Sequence, residues 1–305
     1  MTDARNAKAG SCARASLIFI IRAGTWREGI MISREGWYMV KKITSGQVVE
    51  RRKSYVGRKP SRRGARAKGN SSEKKQENNR QQAVLALARL LNCNYTHGDA
   101  LLTLTFVDEA LARCGGTFEG AVKEAKNFLG RVARRMKKHG DVLKWVLVPS
   151  EVDGETGEAV RLHCHIVINS AGLRMEDRTF TLYGEPLDDI WGRGTVDVQM
   201  LRDQKDYYPL ALYLIRQARN IPDGKKYTSS RNMEKPKVEY TYVLTPAQLR
   251  VPAGATTLPG TRYEPELGVN FVRYIPREKD PTRKIGGRKE MAVACAGEEA
   301  EEAEA

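Results

Sequence analysis

The run Arg161-Leu162-His163-Cys164-His165-Ile166-Val167-Ile168-Asn169 most constrains the fold, because it sets two histidines one residue apart inside an apolar stretch. Aliphatic runs of this length read as strands, whose side chains alternate between faces with period two. His163 and His165 then project from one face, and Leu162, Cys164, Ile166 and Ile168 from the other. Two neutral imidazoles at fixed separation suit a divalent metal, and two ligands rarely complete a coordination sphere. The preceding run, Lys144-Trp145-Val146-Leu147-Val148-Pro149-Ser150-Glu151, leads into Val152-Asp153-Gly154-Glu155-Thr156-Gly157-Glu158, a polar hairpin connection containing glycine. With the turn centred near Gly157, the two runs pair antiparallel with Glu151 opposite His163. Val146 and Val148 then join the Leu162 face. The expected metal set is Glu151, His163 and His165.

A chain of 305 residues that is 41% hydrophobic can bury one substantial core plus appended segments. Its net charge of +15 and pI near 9.6 point to nucleic acid as the polyanionic partner. The apolar stretch near the start, Leu17 to Ile21, is too short to span a membrane and ends at Arg22, so no membrane partner is expected. The cysteines, Cys12, Cys93, Cys114, Cys164 and Cys295, are scattered and form no Cys-x-x-Cys pair. Free thiols in a reducing cytoplasm are expected rather than a zinc knuckle. Cys164 alternates away from the histidines and reads as a small core residue.

In chain order, residues 1–35 form a weakly patterned leader, with Met31 or Met39 as alternative starts. Residues 36–95 make a basic N-terminal unit. The alternation around Thr44-Ser45-Gly46 predicts a hairpin. Between Arg51 and Lys68 lie nine Lys/Arg and no acid, a flexible basic arm. Its Arg51, Arg52, Lys53, Arg58, Lys59, Arg62 and Arg63 are expected to contact DNA phosphates without reading sequence. Ser71 or Ser72 then caps a helix with Val84, Leu87, Ala88 and Leu91 on its apolar face.

Residues 96–236 form the central domain. Leu101 to Phe106 is its first strand. After Thr117, the spacing of Phe118, Val122, Ala125, Leu129, Val132 and Met136 predicts an amphipathic helix closed by Gly140. The two metal-bearing strands follow, then a short helix over Glu185–Trp191 and a strand over Thr195–Met200. The last helix runs from Tyr208 to Arg219 with Pro209 in its first turn. Its apolar stripe is Leu210, Ala211, Leu214, Ile215 and Ala218, and Tyr213, Arg216 and Gln217 share the other face. This order predicts an α+β domain, an antiparallel sheet with helices packed on one side. Residues 237–290 read as an irregular C-terminal extension with a basic patch at Arg283, Lys284, Arg288 and Lys289. Residues 291–305 read as an acidic disordered tail.

A metal face beside a solvent-facing tyrosine on a basic protein suggests phosphoryl transfer to Tyr213. A free phenol, with a pKa of about 10, attacks poorly, so a metal is needed to polarise the phosphodiester. In-line placement of the oxygen supplies further rate. Arg216, one turn away, would bind phosphate or favour the phenolate.

From Leu101 to Pro236 the chain resembles the rolling-circle replication initiators of the His-hydrophobic-His (HUH) endonuclease superfamily, of the phage and mobile-element type. The resemblance rests on five motifs in order. They are Leu-Thr-Leu-Thr-Phe (102–106), Glu151 ahead of His-Cys-His (163–165), Trp191 with Gly194-Thr-Val-Asp-Val, Tyr213-Leu-Ile-Arg216, and Tyr227-Thr-Ser-Ser-Arg231-Asn232 ending at Pro236. It implies an RRM/palm-like core and a site-specific nickase acting on single-stranded or hairpin origin DNA. In that family a tyrosine becomes joined to the 5′-phosphate, a 3′-hydroxyl is left to prime synthesis, and a later reversal rejoins the ends. Carried over, the catalytic pair is Tyr213 and Arg216, the Mg²⁺ or Mn²⁺ ligands are Glu151, His163 and His165, and Arg231 contacts nucleic acid.

Where the family often has Tyr-x-x-Lys, this chain has Arg216, which cannot deprotonate. A second tyrosine four positions before Tyr213 would fall at Pro209, so a single nucleophile is expected, with Tyr207 or Tyr208 as alternatives. No Gly-x-x-x-x-Gly-Lys-Ser/Thr loop is present, which makes a host helicase and DNA polymerase the expected partners. The competing readings are a transposase or relaxase of a mobile element and a non-catalytic DNA-binding copy-control protein.

Overall fold

A computed structural model describes residues 37–56, 73–153, 156, 158–218, 225–244, 246–264 and 268–277. The expected leader and acidic tail, the patch at Arg283 to Lys289, and Ser71, Ser72, Arg58, Lys59, Arg62 and Arg63 of the basic arm lie outside the described residues.

The elements follow as β1 (Tyr38–Ser45), β2 (Val48–Tyr55), α1 (Glu73–Asn94), β3 (Ala100–Leu104), α2 (Asp108–Arg113), α3 (Phe118–Lys138), β4 (Trp145–Val152) and β5 (Ala159–Ile168). Next come β6 (Leu173–Glu176), β7 (Thr179–Leu182), β8 (Glu185–Pro186), α4 (Leu187–Trp191), β9 (Val196–Met200) and α5 (Tyr208–Gln217). The chain closes with β10 (Thr228–Ser229), β11 (Lys237–Val243), β12 (Thr256–Thr257), β13 (Arg262–Glu264) and β14 (Val269–Ile275). The α+β class stands, as do the hairpin β1–β2 and helices α1, α3, α4 and α5. Thr117 caps α3 by accepting from the Gly120 N–H at 3.1 Å.

The central sheet is antiparallel, in the order β10-β4-β5-β3-β9. Helices cover both of its faces, where one was expected. On one face Leu102, Leu104, Leu147, Cys164, Ile166 and Ile168 pack on Ala125, Phe128, Leu129 and Val132 of α3 and on Trp191 of α4. On the other, Leu101, Val146, Val148 and Val167 pack on Val84, Leu87 and Leu91 of α1 and on Ala211, Leu214 and Ile215 of α5. The cause is visible in the strands. Val146-Leu147-Val148 and Ile166-Val167-Ile168 are apolar at successive positions, the pattern of a strand buried on both sides.

The β4–β5 register also differs by one residue from the expected one. Ser150, not Glu151, lies opposite His163, and Val148 lies opposite His165. The ladder shifts between Ser150 and Val152, where Val152 faces Ala159, so that two steps of β4 answer four steps of β5. A slip of one position exchanges the faces. Val146 and Val148 therefore share the histidine face, and Glu151 falls at the irregularity.

The C-terminal region is not irregular. β11 and β14 flank the N-terminal hairpin in a second antiparallel sheet, ordered β11-β1-β2-β14-β12 with β13 also on β14. Strands paired across a long stretch of chain, such as Thr44 with Lys237, leave no local signature. A small sheet, β6-β7-β8, lies over the α3 side; this stretch reads in sequence only as a polar segment.

A buried ionic chain joins the outer sheet to the helices that carry the site. Glu50 of β2 accepts from Arg89 of α1 at 2.9 Å and from Arg273 of β14 at 3.2 Å, and Arg273 reaches Asp206 at 3.3 Å. Asp206 in turn accepts from the Tyr208 N–H at the start of α5, 3.1 Å away. The turn of the hairpin packs on the C-terminal end of α1, where a Cβ on Gly46 (φ +54°) would stand 2.2 Å from the Asn92 carbonyl oxygen.

Glu50 and Arg273 are each 1% exposed. Replacing Glu50→Ala leaves two guanidinium groups without their shared anion, and is expected to lower the unfolding free energy by about 3–5 kcal/mol. Urea denaturation measures it, and an unchanged midpoint would refute a holding role for the network.

Candidate metal centre and nucleophile

Strand alternation and the observed register point His163 and His165 toward α5. His165 is buried, His163 half-buried. Their rings stand edge-to-face, with centroids 4.7 Å apart and an interplanar angle of 88°. The two Nε2 atoms face each other at 3.1 Å. The side-chain oxygen of Gln217, in the last turn of α5, closes on His165 Nε2 from the helix side.

The outer nitrogens are also held. His163 Nδ1 lies 2.8 Å from the Arg161 carbonyl oxygen, which can only accept, so the ring carries its proton on Nδ1 and presents a lone pair at Nε2. His165 Nδ1 lies 3.2 Å from Thr103 Oγ1, a group that can donate or accept. A single proton on His165 Nε2 can satisfy Gln217 and His163 together. With Thr103 accepting from Nδ1 instead, three lone pairs converge, a donor set that fits a divalent cation. Burial, and next the charge of His163, hold the His165 pKa down at about 4 against the hydrogen bond with Gln217, so the ring is neutral and competent as a ligand at pH 7.

Gln217 is seated by its own backbone. The Ser150 hydroxyl lies 2.7 Å from the Gln217 carbonyl oxygen and 3.1 Å from that of Val152, and Ser150 and Ala218 form a β-bridge. The end of α5 is thereby stapled to β4 opposite His163. Sequence reasoning placed Gln217 on the tyrosine face of the helix and assigned it no role. Its spacing of four from Tyr213, one helical turn, was the signal available.

Glu151 is not brought opposite the histidines, because Ser150 occupies that register position. Among the described residues, no group of three or more His, Cys, Asp or Glu is arranged to hold a metal ion. A set completed by the Gln217 amide lies outside that description.

Tyr213 is 45% exposed, and its ring centroid lies 5.7 Å from that of His165. The phenol is therefore open to a substrate while standing beside the imidazole pair. Arg216 lines a cleft between α1 and α5 with Glu77, Arg80 and Tyr208. Tyr207 is a core residue at 3% exposure, its phenol pKa raised by burial, so it is no alternative nucleophile. The Tyr208 ring is covered by the Arg273 guanidinium at 4.9 Å, at the far end of α5 from Gln217.

Of the basic residues, Arg51 is half-buried and Arg52 and Arg231 are exposed. Lys53 is corrected: it is buried, its ammonium donates to the Ala247 carbonyl at 2.8 Å and sits 5.1 Å from the Tyr38 ring centroid, and burial lowers its pKa. Strand alternation puts it on the face of β2 opposite Arg52. Other motif residues serve the scaffold. Trp191 donates to the Thr105 carbonyl at 2.7 Å, and Asn232 donates to the Leu143 carbonyl at 3.0 Å. Cys164 lies on the face opposite the histidines, its thiol pushed up to about 12 by burial.

Residues 99–217, from the start of β3 to Gln217, match the family model for replication-associated proteins of the ORF2 type. The match is consistent with a rolling-circle replication initiator. No curated protein and no solved structure matches the chain. Among the described residues no helix is long and apolar enough to cross a membrane.

The site makes a pH prediction for the metal-free protein. An unfolded histidine titrates at about 6.5, whereas His165 in the fold does so at about 4. The unfolded chain binds that proton first as the pH falls, so stability is lost progressively over this window. NMR should show one imidazole titrating near the lower value. Urea unfolding of His165→Asn should show a flatter pH dependence than wild type, and equal slopes would refute the assignment.

Proposed function

We propose that this replication-associated domain is a metal-dependent nickase that initiates rolling-circle replication through a covalent bond between Tyr213 and the 5′-phosphate of a single-stranded origin. The observation that carries the reading is the convergence of His163 Nε2, His165 Nε2 and the Gln217 side-chain oxygen beside an exposed phenol on the same helix.

A divalent cation, Mg²⁺ or Mn²⁺, would be held by His163, His165 and Gln217. When bound it supplies charge to polarise a phosphodiester and to stabilise its transition state. The chain's own residues do the rest. Arg161 and Thr103 fix the imidazole orientations, Ser150 fixes the end of α5, and α5 presents Tyr213 toward solvent. The phenol oxygen attacks phosphorus as its proton is lost to solvent. The P–O3′ bond breaks, and the departing oxygen takes up a proton to become a free 3′-hydroxyl. The reverse reaction rejoins a strand and restores the phenol. Arg216, set to one side of Tyr213, would receive a flanking phosphate of the strand, with Arg80 across the cleft. A host helicase would supply the single strand and a host polymerase would extend the 3′-hydroxyl.

The test is incubation of the full chain with single-stranded origin DNA and Mn²⁺. A covalent protein–DNA adduct should form in wild type and vanish in Tyr213→Phe, while His163→Ala and His165→Ala should abolish nicking and largely spare salt-dependent binding. Persistence of the adduct in Tyr213→Phe would overturn the assignment. Thr103→Val, which removes the partner of His165 Nδ1, should weaken Mn²⁺ binding by roughly 10–100-fold, read by metal titration of nicking. Gln217→Ala should weaken it at least as much, and an unchanged metal requirement would remove Gln217 from the ligand set.

A further inference from the structure

We propose that the outer sheet carries a platform for single-stranded DNA, separate from the imidazole pair. One transverse row of side chains forms it. Tyr240 of β11 lies opposite Lys41 of β1, Lys41 opposite Arg52 of β2, Arg52 opposite Phe271 of β14, and Phe271 opposite Arg262 of β13. Residues directly opposite share a face, and neighbouring strands stand about 4.8 Å apart. An aromatic, two cations, an aromatic and a cation therefore cross the whole sheet side by side. Tyr240 is 45% exposed, Arg52 and Arg262 are exposed, and Lys41 and Phe271 are half-buried. The next row adds Tyr242, with Trp37 edge-to-face on it at 6.5 Å.

The charge arrangement identifies the occupant. Like charges directly opposite one another destabilise a sheet. The strand neighbours of Lys41 are Tyr240 and Arg52, and those of Arg52 are Lys41 and Phe271, so the register gives neither cation an acidic partner across the strands. On the opposite face Lys42 and Lys237 both pair with Glu239 at 2.9 Å. One row toward α1, Glu50 is already taken up by Arg89 and Arg273, and at the far edge Glu264 pairs with Arg262 at 4.0 Å. The juxtaposed Lys41 and Arg52 are relieved by a bound anion. Aromatic faces spaced among them suit unstacked bases, which a duplex does not offer. Phosphates would lie on Lys41 and Arg52, and bases on Tyr240 and Phe271. The proposal leans on the replication reading only for the choice of DNA, and the platform stands apart from the nicking chemistry.

The probe is a fluorescently labelled oligodeoxythymidylate, titrated with the full chain over a salt series and followed by anisotropy. Lys41→Gln combined with Arg52→Gln should weaken binding and lower the log–log salt slope by about 0.7 per cation removed. Tyr240→Leu should weaken binding about tenfold with the slope unchanged, and should leave binding to a duplex of equal length as it was. Thermal melting accompanies each variant. If either melts early, Arg52→Gln alone, an exposed change, decides the electrostatic arm. Unchanged affinity in these variants overturns the platform, as does an equal effect of Tyr240→Leu on duplex and single strand. Assaying the wild-type chain for nicking beside the titration separates the outcomes: wild type that binds through this row but never nicks refutes the nickase and keeps the platform.

Discussion

The two-faced burial of β5 is the constraint on which the rest depends. Cys164, Ile166 and Ile168 lock the strand onto α3 and α4, while Val167 on the other face locks it under α1 and α5. A strand clamped on both faces cannot slip by one residue without driving the histidines into the α3 core and repacking both apolar faces. The imidazole geometry is thus set by hydrophobic packing. Polar contacts from Arg161 and Thr103 then fix the ring orientations on the strand so placed.

The same packing places α5. Ala211, Leu214 and Ile215 bury its inner face, which leaves Tyr213 and Gln217 on the flank beside β5. Its two ends are then fixed by unrelated devices. Ser150 holds the C-terminal end to β4, and Asp206, tied through Arg273 and Glu50 to the outer sheet, holds the N-terminal end. Breaking a buried, shared ion costs far more than its formation gains, so such a network resists partial opening. The outer sheet is in this sense part of the support of the site, although the family match ends at Gln217, before β11 and β14 are reached.

Much of this was legible in the sequence. The His-Cys-His run, the stripe of α3, the hairpin turn at Gly46 and the helix bearing Tyr213 all carry strong local periodicity or turn chemistry, and the structure places each where the periodicity implies. The failures have a common physical form. The shift in the β4–β5 ladder is a property of two strands together, invisible when residues are counted outward from a turn. The pairing of β1 with β11 and of β2 with β14 is likewise non-local, so the C-terminal strands read as irregular. Helices on both faces were implied by the consecutive apolar residues of β4 and β5, a signal that was present and outweighed by the alternation of the histidines.

The proposed third donor shows the same lesson in chemical terms. A search for acids near His163 and His165 favours Glu151, because carboxylates are common partners of imidazole in metal sites. Strand register excludes it from the position opposite His163 and leaves a neutral amide instead. A carboxylate beside the histidines would raise their affinity for protons as well as for metal. An amide adds an oxygen donor without that charge; its hydrogen bond draws the His165 pKa upward, and burial together with the charge of His163 outweighs it, so the ring stays neutral at pH 7. Placing that amide one turn from Tyr213 has a mechanical consequence. Any rotation of α5 that carries the phenol away from a bound phosphodiester also withdraws the third donor, so in the proposed nickase the attacking oxygen and the proposed cation site are in place together or not at all.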